Sequence, residues 1–274
     1  MASFCRNRYL DCRSVAAVVL GSMAILRSYG RTWRDRVVVV TGGTSGIGRE
    51  FALRLAAEGA KVIACARKEV TLSELHTRFP QIEAIRCDVT VTPDVLALEA
   101  AIQDRYGRVD VLINNAGIME RVDLLDRSVS DERIAQEIAV NLTSPILLTR
   151  RLLPLLRCGR NPMIIMVTSG YALLPATRAP TYSATKAGLH SFTMALRRQL
   201  QGVGIRVVEV FPPLVDTPAT RSVRQRKMSP ETLVGRVLRD IDRGRDETLP
   251  GKAGLLPLLM RLAPSYAARR VAGT

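Results

Sequence analysis

A tyrosine and a lysine with helical spacing are the residues that most directly suggest chemistry. Tyr182 and Lys186 are four residues apart, so on one helix they would face the same side, one turn apart. A phenol with an unperturbed pKa of about 10 is a poor acid or base at neutral pH. An ammonium about 4 Å away would lower the pKa of Tyr182 by up to roughly three units. The pair therefore predicts a general acid/base that works near neutral pH.

A glycine-rich segment at residues 41–48, TGGTSGIG, predicts phosphate binding. Its glycines allow a tight turn, close approach of the backbone to a pyrophosphate and packing of a helix on a strand. The helix that follows would point free N–H groups and its positive dipole end at the phosphates. A glycine cluster also occurs in ordinary turns, but this one lies between an apolar strand and a helix. The predicted coenzyme contacts in it are Gly42, Thr44, Ser45, Gly46, Ile47 and Gly48.

Two cations stand where an NAD-binding protein usually has an acid. About 20 residues beyond the glycines, such a protein holds the ribose 2′-hydroxyl with Asp or Glu. This chain has Arg67 and Lys68 there. A guanidinium would bind the 2′-phosphate of NADP in a bidentate manner, and NAD would lose its usual partner. The sequence favours NADP(H) and leaves NAD(H) open, since the two cations also fit an exposed turn.

Strands and helices alternate along the chain in a way that would position these residues. Apolar runs predict six strands, at 36–40, 61–66, 82–87, 109–113, 163–168 and 205–211. Helices are predicted at 47–58, 92–107, 130–141, 144–157, 182–201 and 230–244, with Thr92 as an N-cap. The strands are continuously apolar, so helices should cover both faces. The predicted fold class is α/β, a single doubly wound Rossmann-type domain with a mostly or wholly parallel sheet.

Four motifs occur in a specific order along this framework. They are TGxxxGIG at 41–48, NNAG at 114–117, Ser169, and YxxxK beginning at Tyr182. In this order and spacing the chain resembles the single-domain short-chain dehydrogenase/reductase family over about residues 36–250. Three stretches, at 143–145, 180–186 and 211–213, are also similar to the subgroup of that family associated with D-alanylation operons.

The resemblance implies hydride transfer between a nicotinamide coenzyme and a carbonyl or alcohol. Ser169 would donate to the substrate oxygen, Asn141 would support a water beside the lysine, and Lys186 would also hold the nicotinamide ribose. Further coenzyme contacts that it implies are Asp88, Val89, Asn115, Ala116, Gly117, Tyr182, Lys186, Pro212 and Thr217. Pro213 replaces the glycine usual in the family, which would stiffen this edge of the pocket. Taken singly, the serine and asparagine also fit helix or strand caps and the tyrosine a half-buried core position.

Composition and charge narrow the remaining function classes. The chain of 274 residues carries a formal net charge of +15, concentrated at its two ends, with only 4% aromatic residues. A basic rim could meet an anionic membrane or a phosphorylated coenzyme, or only keep the protein in solution. Nucleic-acid binding is not expected, because no aromatic residues interleave with the cations and no such motif occurs. His76 and His190 share no metal-ligand spacing with acids or thiols, so no metal site is expected.

The two termini fall outside the predicted domain. Residues 1–34 are predicted to be a basic extension, 35–250 the Rossmann-fold domain and 251–274 an apolar and basic tail. The apolar run at 15–26 would reach about 18 Å as a helix, too short for a hydrocarbon core of roughly 30 Å. Because it also lacks a cleavage site, and the five cysteines suggest free thiols, we expect a cytoplasmic protein. Peripheral membrane contact through the termini stays open.

The sequence leaves several functional alternatives open. One is an NAD-dependent dehydrogenase of the same fold, and another is a coenzyme-binding protein without catalysis, acting as a regulator or a membrane-surface scaffold. A small-molecule carbonyl or alcohol is the expected substrate, and a homo-oligomer the expected assembly. The cations of residues 216–229 could attract an acidic substrate or form a solvated lid.

Overall fold

Seven segments, most of them apolar, form the strands of one sheet. The structure is a computed structural model that describes residues 33–251, apart from 121, 122 and 127, together with residues 254 and 262. The strands are β1 (Val37–Thr41), β2 (Lys61–Ala66), β3 (Ile82–Arg86), β4 (Val111–Asn114), β5 (Met163–Val167), β6 (Arg206–Val210) and β7 (Glu247–Thr248).

All the pairings between these strands are parallel. Their order across the sheet is β3-β2-β1-β4-β5-β6-β7. The chain thus builds outward from β1 in one direction and then from β4 in the other, which leaves a crevice at the carboxyl ends of β1 and β4. The predicted fold class, a doubly wound α/β domain with a mostly or wholly parallel sheet, is confirmed, and the sheet is wholly parallel among the described residues.

Helices cover both faces of the sheet. They are α1 (Gly46–Ala57), α2 (Glu69–Arg78), α3 (Thr92–Tyr106), α4 (Asp131–Ile138), α5 (Ser144–Arg157), α6 (Pro180–Leu200) and α7 (Pro230–Asp242). The side chains of α1, α2 and α7 pack into one apolar core, and those of α3, α5 and α6 into the other.

The alternating side chains of β1 show why the strands read as unbroken apolar runs. Val38 and Val40 lie in the core beneath α1 and α7, whereas Val37 and Val39 lie in the core beneath α3 and α5. All four are at most 1% exposed. Successive strand residues point to opposite faces, so a strand covered on both faces needs an apolar residue at every position.

The sequence predictions missed two elements and misplaced some boundaries. Helix α2 was not predicted, because only Leu72 and Leu75 of its ten residues are buried and its apolar pattern is weak. Strand β7 has two residues, too few to leave a periodic signal. Thr92 is the first residue of α3 and Val91 occupies the cap position, so the predicted Thr92 cap is wrong by one residue.

The helix predicted at 130–141 differs in its last turn. Helix α4 ends at Ile138 and continues through a π-helical turn, Ala139–Thr143, directly into α5. Two separate predicted helices are therefore one continuous helical stretch with a wide turn at its centre. π-Helical turns of this kind often occur at functional sites.

The remaining predictions concern thiols, metals and the ends of the chain. Cys65 and Cys87 are buried free thiols, and Cys158 is free and exposed. Within the part of the chain that the structure describes, no group of three potential metal ligands occurs and no helix is long and apolar enough to cross a membrane. The extension at 1–34 and the tail at 251–274 lie almost wholly outside the described residues, so the predicted domain division stays a prediction.

Candidate active site

A cleft opens at the carboxyl ends of β1, β4, β5 and β6. Most of the predicted site residues line it, namely Gly42, Ser45, Gly46, Ile47, Asn115, Ala116, Gly117, Ser169, Tyr182, Lys186, Pro212 and Thr217. The fold thus brings together residues that are up to 175 positions apart in the sequence. The other predicted residues lie around this lining and are described below.

The glycine-rich turn needs glycine for two different reasons. Gly42 and Gly46 have φ angles of +66° and +51°, in the left-handed region that side chains disfavour. At Gly48 the reason is steric, because a Cβ atom there would lie 2.3 Å from the carbonyl oxygen of Gly42. The turn therefore folds back tightly on the first turn of α1 and leaves the N-terminus of that helix facing the cleft.

Residues 114–117 tie this turn to the end of β4. The side-chain amide of Asn115 donates to the carbonyl oxygen of Thr41 at 2.9 Å. In return, the hydroxyl of Thr41 accepts hydrogen bonds from the backbone N–H groups of Asn115 and Ala116, at 2.9 and 3.0 Å. These bonds fix the two loops on either side of the crevice relative to each other.

Ser169, Tyr182 and Lys186 form one cluster at the centre of the cleft. Ser169 follows β5, and its hydroxyl lies within hydrogen-bonding reach of the phenol of Tyr182. Lys186 lies one turn further along α6, with its Nζ atom 5.7 Å from the centre of the tyrosine ring. The same Nζ donates to the carbonyl oxygen of Val167 at 3.0 Å. Tyrosine and lysine thus share one helix face, as their spacing predicted.

The electrostatics of this cluster differ from the sequence-based expectation. Burial raises the pKa of Tyr182 to about 12, and the hydrogen bond from Ser169 only partly opposes that effect. Burial also lowers the pKa of Lys186 to about 8, since its ammonium is removed from water. The predicted lowering of the Tyr182 pKa is therefore wrong. The lysine is itself buried and its charge is directed at a backbone carbonyl.

Asn141 lies in the π-helical turn, and its side chain forms two hydrogen bonds with the backbone near the lysine. Its Nδ2 donates to the carbonyl oxygen of Ile118 at 2.8 Å, and its Oδ1 accepts from the N–H of the same residue at 2.9 Å. A Cβ atom at Gly117 would lie 3.2 Å from that Oδ1 and 3.6 Å from Lys186 Nζ. Asn141 is thus a buried neighbour of the lysine and does not line the cleft itself.

The residues predicted to contact the adenine end lie after β2 and β3. Arg67 is about half exposed, with its Nη1 3.9 Å from Asp88 Oδ2. The hydroxyl of Thr44 accepts from Thr71 at 3.3 Å. Val89 lines a small neighbouring cavity under Ala116 and Asn114. These positions extend the cleft toward the outer strands of the sheet.

One buried acid belongs to the cluster although the sequence reasoning did not select it. Glu137, on α4 one turn before Asn141, is 0% exposed. Its Oε1 accepts from the N–H of Glu120 at 2.8 Å, and its Oε2 has no hydrogen-bond partner among the described residues. Burial lowers the pKa of Lys186, and the negative charge of Glu137 partly opposes that lowering. The four-residue spacing from Asn141 was the available signal.

This arrangement can be compared with known proteins. The family model described as short chain dehydrogenase matches residues 36–228. The chain belongs to this family. It is accordingly an oxidoreductase, as the sequence predicted.

Individual relatives agree with this assignment. The chain is 37% identical over 193 residues to the uncharacterized oxidoreductase DltE of Bacillus subtilis, covering 70% of this chain and 77% of the relative. A short chain dehydrogenase from Burkholderia cenocepacia in complex with NADP superposes with a TM-score of 0.78 at 26% identity, covering 88% of this chain and 99% of that one. A 3-ketoacyl-(acyl-carrier-protein) reductase from Brucella melitensis complexed with NADH gives 0.71 at 28%, covering 77% and 92%.

Proposed function

We propose that this protein is an NADP(H)-dependent oxidoreductase that interconverts a carbonyl and an alcohol, with Tyr182 as its general acid and base. The observation that carries the proposal is the half-buried Tyr182 phenol, which lines the cleft within hydrogen-bonding reach of Ser169 and one helical turn from Lys186. The group lies in the cleft at the strand ends, where ligands bind in doubly wound sheets.

The residues around the cleft fit a dinucleotide coenzyme. The left-handed glycines and the close contact between Gly48 and Gly42 leave a turn without side chains beside a helix N-terminus, which suits a pyrophosphate. Arg67 at the end of β2 would hold the 2′-phosphate of NADP. The NADP-bound relative from Burkholderia cenocepacia supports this preference, and the NADH-bound relative keeps NAD(H) as the alternative coenzyme.

In the direction of reduction, the reaction needs a hydride at the carbonyl carbon and a proton at the carbonyl oxygen. The bound coenzyme supplies the hydride. Tyr182 donates its phenol proton to the oxygen, and the Ser169 hydroxyl donates a hydrogen bond to the same oxygen as negative charge grows on it. Lys186 holds the ribose and keeps a positive charge beside the resulting phenolate, while Asn141 fixes the backbone at Ile118.

Replacement of the phenol tests this assignment. We expect Tyr182→Phe to lose about 10²- to 10⁴-fold in kcat, because the ring remains and only the proton donor is removed. The measurement is the absorbance of NADPH during incubation of the full chain with a panel of aldehydes and ketones. Alcohols with NADP cover the reverse direction.

A matched control is Tyr106→Phe, which removes a phenol from α3 that is hydrogen-bonded to Glu83. This variant should keep the wild-type rate. Tyr182→Phe turning over as fast as the wild type would refute the catalytic role of Tyr182.

The substrate class, a small carbonyl or alcohol compound, follows from the family. The narrower resemblance to the subgroup associated with D-alanylation operons stays a prediction, as do cytoplasmic location and a homo-oligomeric state. Membrane contact through the termini concerns residues outside those that the structure describes.

A further inference from the structure

The buried carboxylate of Glu137 has no role in the mechanism above. Placing an acid in a protein interior is costly unless it is paired and hydrogen-bonded. Glu137 is fully buried, yet only its Oε1 is satisfied, by the N–H of Glu120, and its Oε2 has no hydrogen-bond partner in the described part of the chain. Such a group calls for an explanation.

The position of Glu137 ties it to the catalytic segment. Glu137 and Asn141, one helical turn apart, bind alternate residues of the extended stretch after β4, at Glu120 and Ile118. The glycine that precedes this stretch, Gly117, lies against Lys186 Nζ. Helix α4, which carries Glu137, also packs on α6, which carries Lys186. The carboxylate thus braces the same backbone that borders the lysine.

Two charged groups influence Glu137: Lys186 on α6, and Glu120 in the loop that follows β4. Burial raises the pKa of Glu137, and the charge of Glu120 adds to this effect, whereas the hydrogen bond from the Glu120 N–H and the charge of Lys186 lower it. Arg133, on the same helix, is engaged in an ion pair with Glu120. In return, Glu137 raises the pKa of both Lys186 and Tyr182. The packing of α4 on α6 thus places a buried carboxylate and a buried ammonium on two helices in contact, with little water to screen one from the other.

We propose that Glu137 is a positioning residue for the reaction, acting on Lys186 as its buried counter-charge. The proposal rests on the function proposed above, and it adds a residue that contacts neither substrate nor coenzyme. Its consequence is that the lysine keeps its ammonium form at a higher pH than burial alone would allow.

Chemical labelling of the lysine tests the counter-charge without any need for activity. Only the neutral amine reacts with acetic anhydride, and the chain has just five lysines, so mass spectrometry can follow each one. Because Glu137→Gln removes the negative charge, we expect Lys186 to be acetylated about three- to tenfold faster at pH 7 than in the wild type. The other lysines serve as internal references.

The matched control is Glu132→Gln, an exposed acid on the same helix, which should leave the labelling of Lys186 unchanged. Glu137→Asp restores the charge and should label like the wild type, and thermal unfolding of each variant checks that it is folded. Equal labelling of Lys186 in wild type and Glu137→Gln, whether fast or absent, would overturn the proposal. So would an equal acceleration in Glu132→Gln.

Kinetics then separate this proposal from the proposed function. In carbonyl reduction, the alkaline fall of kcat should begin about one pH unit lower in Glu137→Gln, with KM for the carbonyl unchanged. If the wild type lacks coenzyme-dependent turnover, the proposed function fails. The labelling result still decides whether Glu137 is the counter-charge of Lys186. If the wild type is active and the pH profile of Glu137→Gln matches it, the positioning role alone fails.

Discussion

At the scale of single residues, Tyr182 and Lys186 show one environment moving two pKa values in opposite directions. Burial disfavours the charged form of each group, so the pKa of the phenol rises to about 12 and that of the amine falls to about 8. At neutral pH the phenol keeps its proton and the lysine is largely charged. This combination suits proton donation, the role that carbonyl reduction requires of Tyr182.

Arg67 carries the predicted choice of coenzyme. Its guanidinium is about half exposed and 3.9 Å from Asp88, so it is available to a phosphate at the edge of the cleft. Arg67→Asp removes a partner of the 2′-phosphate and adds a repelling charge. We expect the ratio of kcat/KM for NADPH to that for NADH to fall by about tenfold or more.

The charge-matched control for this change is Arg78→Asp, at the exposed far end of α2. It alters the net charge of the protein equally and should leave the coenzyme ratio as in the wild type. If the ratio is the same in Arg67→Asp and in the wild type, Arg67 does not select the coenzyme.

At the scale of elements, some parts of the site could be predicted from the sequence because a local rule governs them. Gly42, Gly46 and Gly48 are required by backbone angles or by a contact between residues six positions apart. The spacing of the tyrosine and the lysine is set by one helix. The π-helical turn could not be predicted, since nothing in its sequence distinguishes it from an α-helix. The role of Glu137 depends on the packing of α4 against α6, which no local pattern records.

The contact at Gly48 gives a prediction for the first turn of α1. In Gly48→Ala the new methyl group would lie 2.3 Å from the Gly42 carbonyl oxygen and 2.4 Å from the Asn115 amide, so the turn must open. We expect NADPH to bind at least about tenfold more weakly, because the backbone N–H groups at the start of α1 would no longer point together at the pyrophosphate. Quenching or enhancement of NADPH fluorescence on titration measures the affinity.

Gly202→Ala is the control for this experiment. No atom lies within 4 Å of the Cβ position there, so the same substitution meets open space. It should bind NADPH with wild-type affinity and unfold at the same urea concentration or slightly above it. Gly48→Ala binding NADPH as tightly as Gly202→Ala would contradict the steric argument.

At the scale of the whole molecule, the apolar burial in the sheet and its two cores offsets the free-energy cost of burying ionisable groups at the site. Every residue of β1 and β5 is buried, and these strands end at the cleft. At the same ends the fold holds Lys186 and Glu137, two ionisable side chains that are at most 3% exposed. Proteins commonly tolerate such a cost where a site requires it. The arrangement of strands could be predicted from the apolar pattern of the sequence. The cost of burying Lys186 and Glu137 could not, because it depends on how α4 and α6 pack together.

The cost of Lys186 can be measured as a function of pH. Its pKa is about 8 in the folded protein against an ordinary 10.5, so folding removes a proton between these values and stability rises with pH across that window. Below pH 8 the full penalty applies. We therefore expect Lys186→Met, measured without added coenzyme, to raise the free energy of unfolding at pH 7 by roughly 1–3 kcal/mol. The lost hydrogen bond to Val167 reduces the gain.

The pH dependence of this gain separates it from a general effect of methionine. Urea unfolding at pH 7 and pH 9.5 should show the advantage of Lys186→Met shrinking as the wild type releases the proton of Lys186. Lys61→Met, at an exposed position on β2, should show no such trend. A variant at 186 that is less stable than the wild type at pH 7, or whose advantage is constant between the two pH values, would mean that the buried ammonium is not what limits stability. We also expect Lys186→Met to lose catalysis. A variant that is more stable than the wild type but does not turn over substrate would show that Lys186 is kept for function.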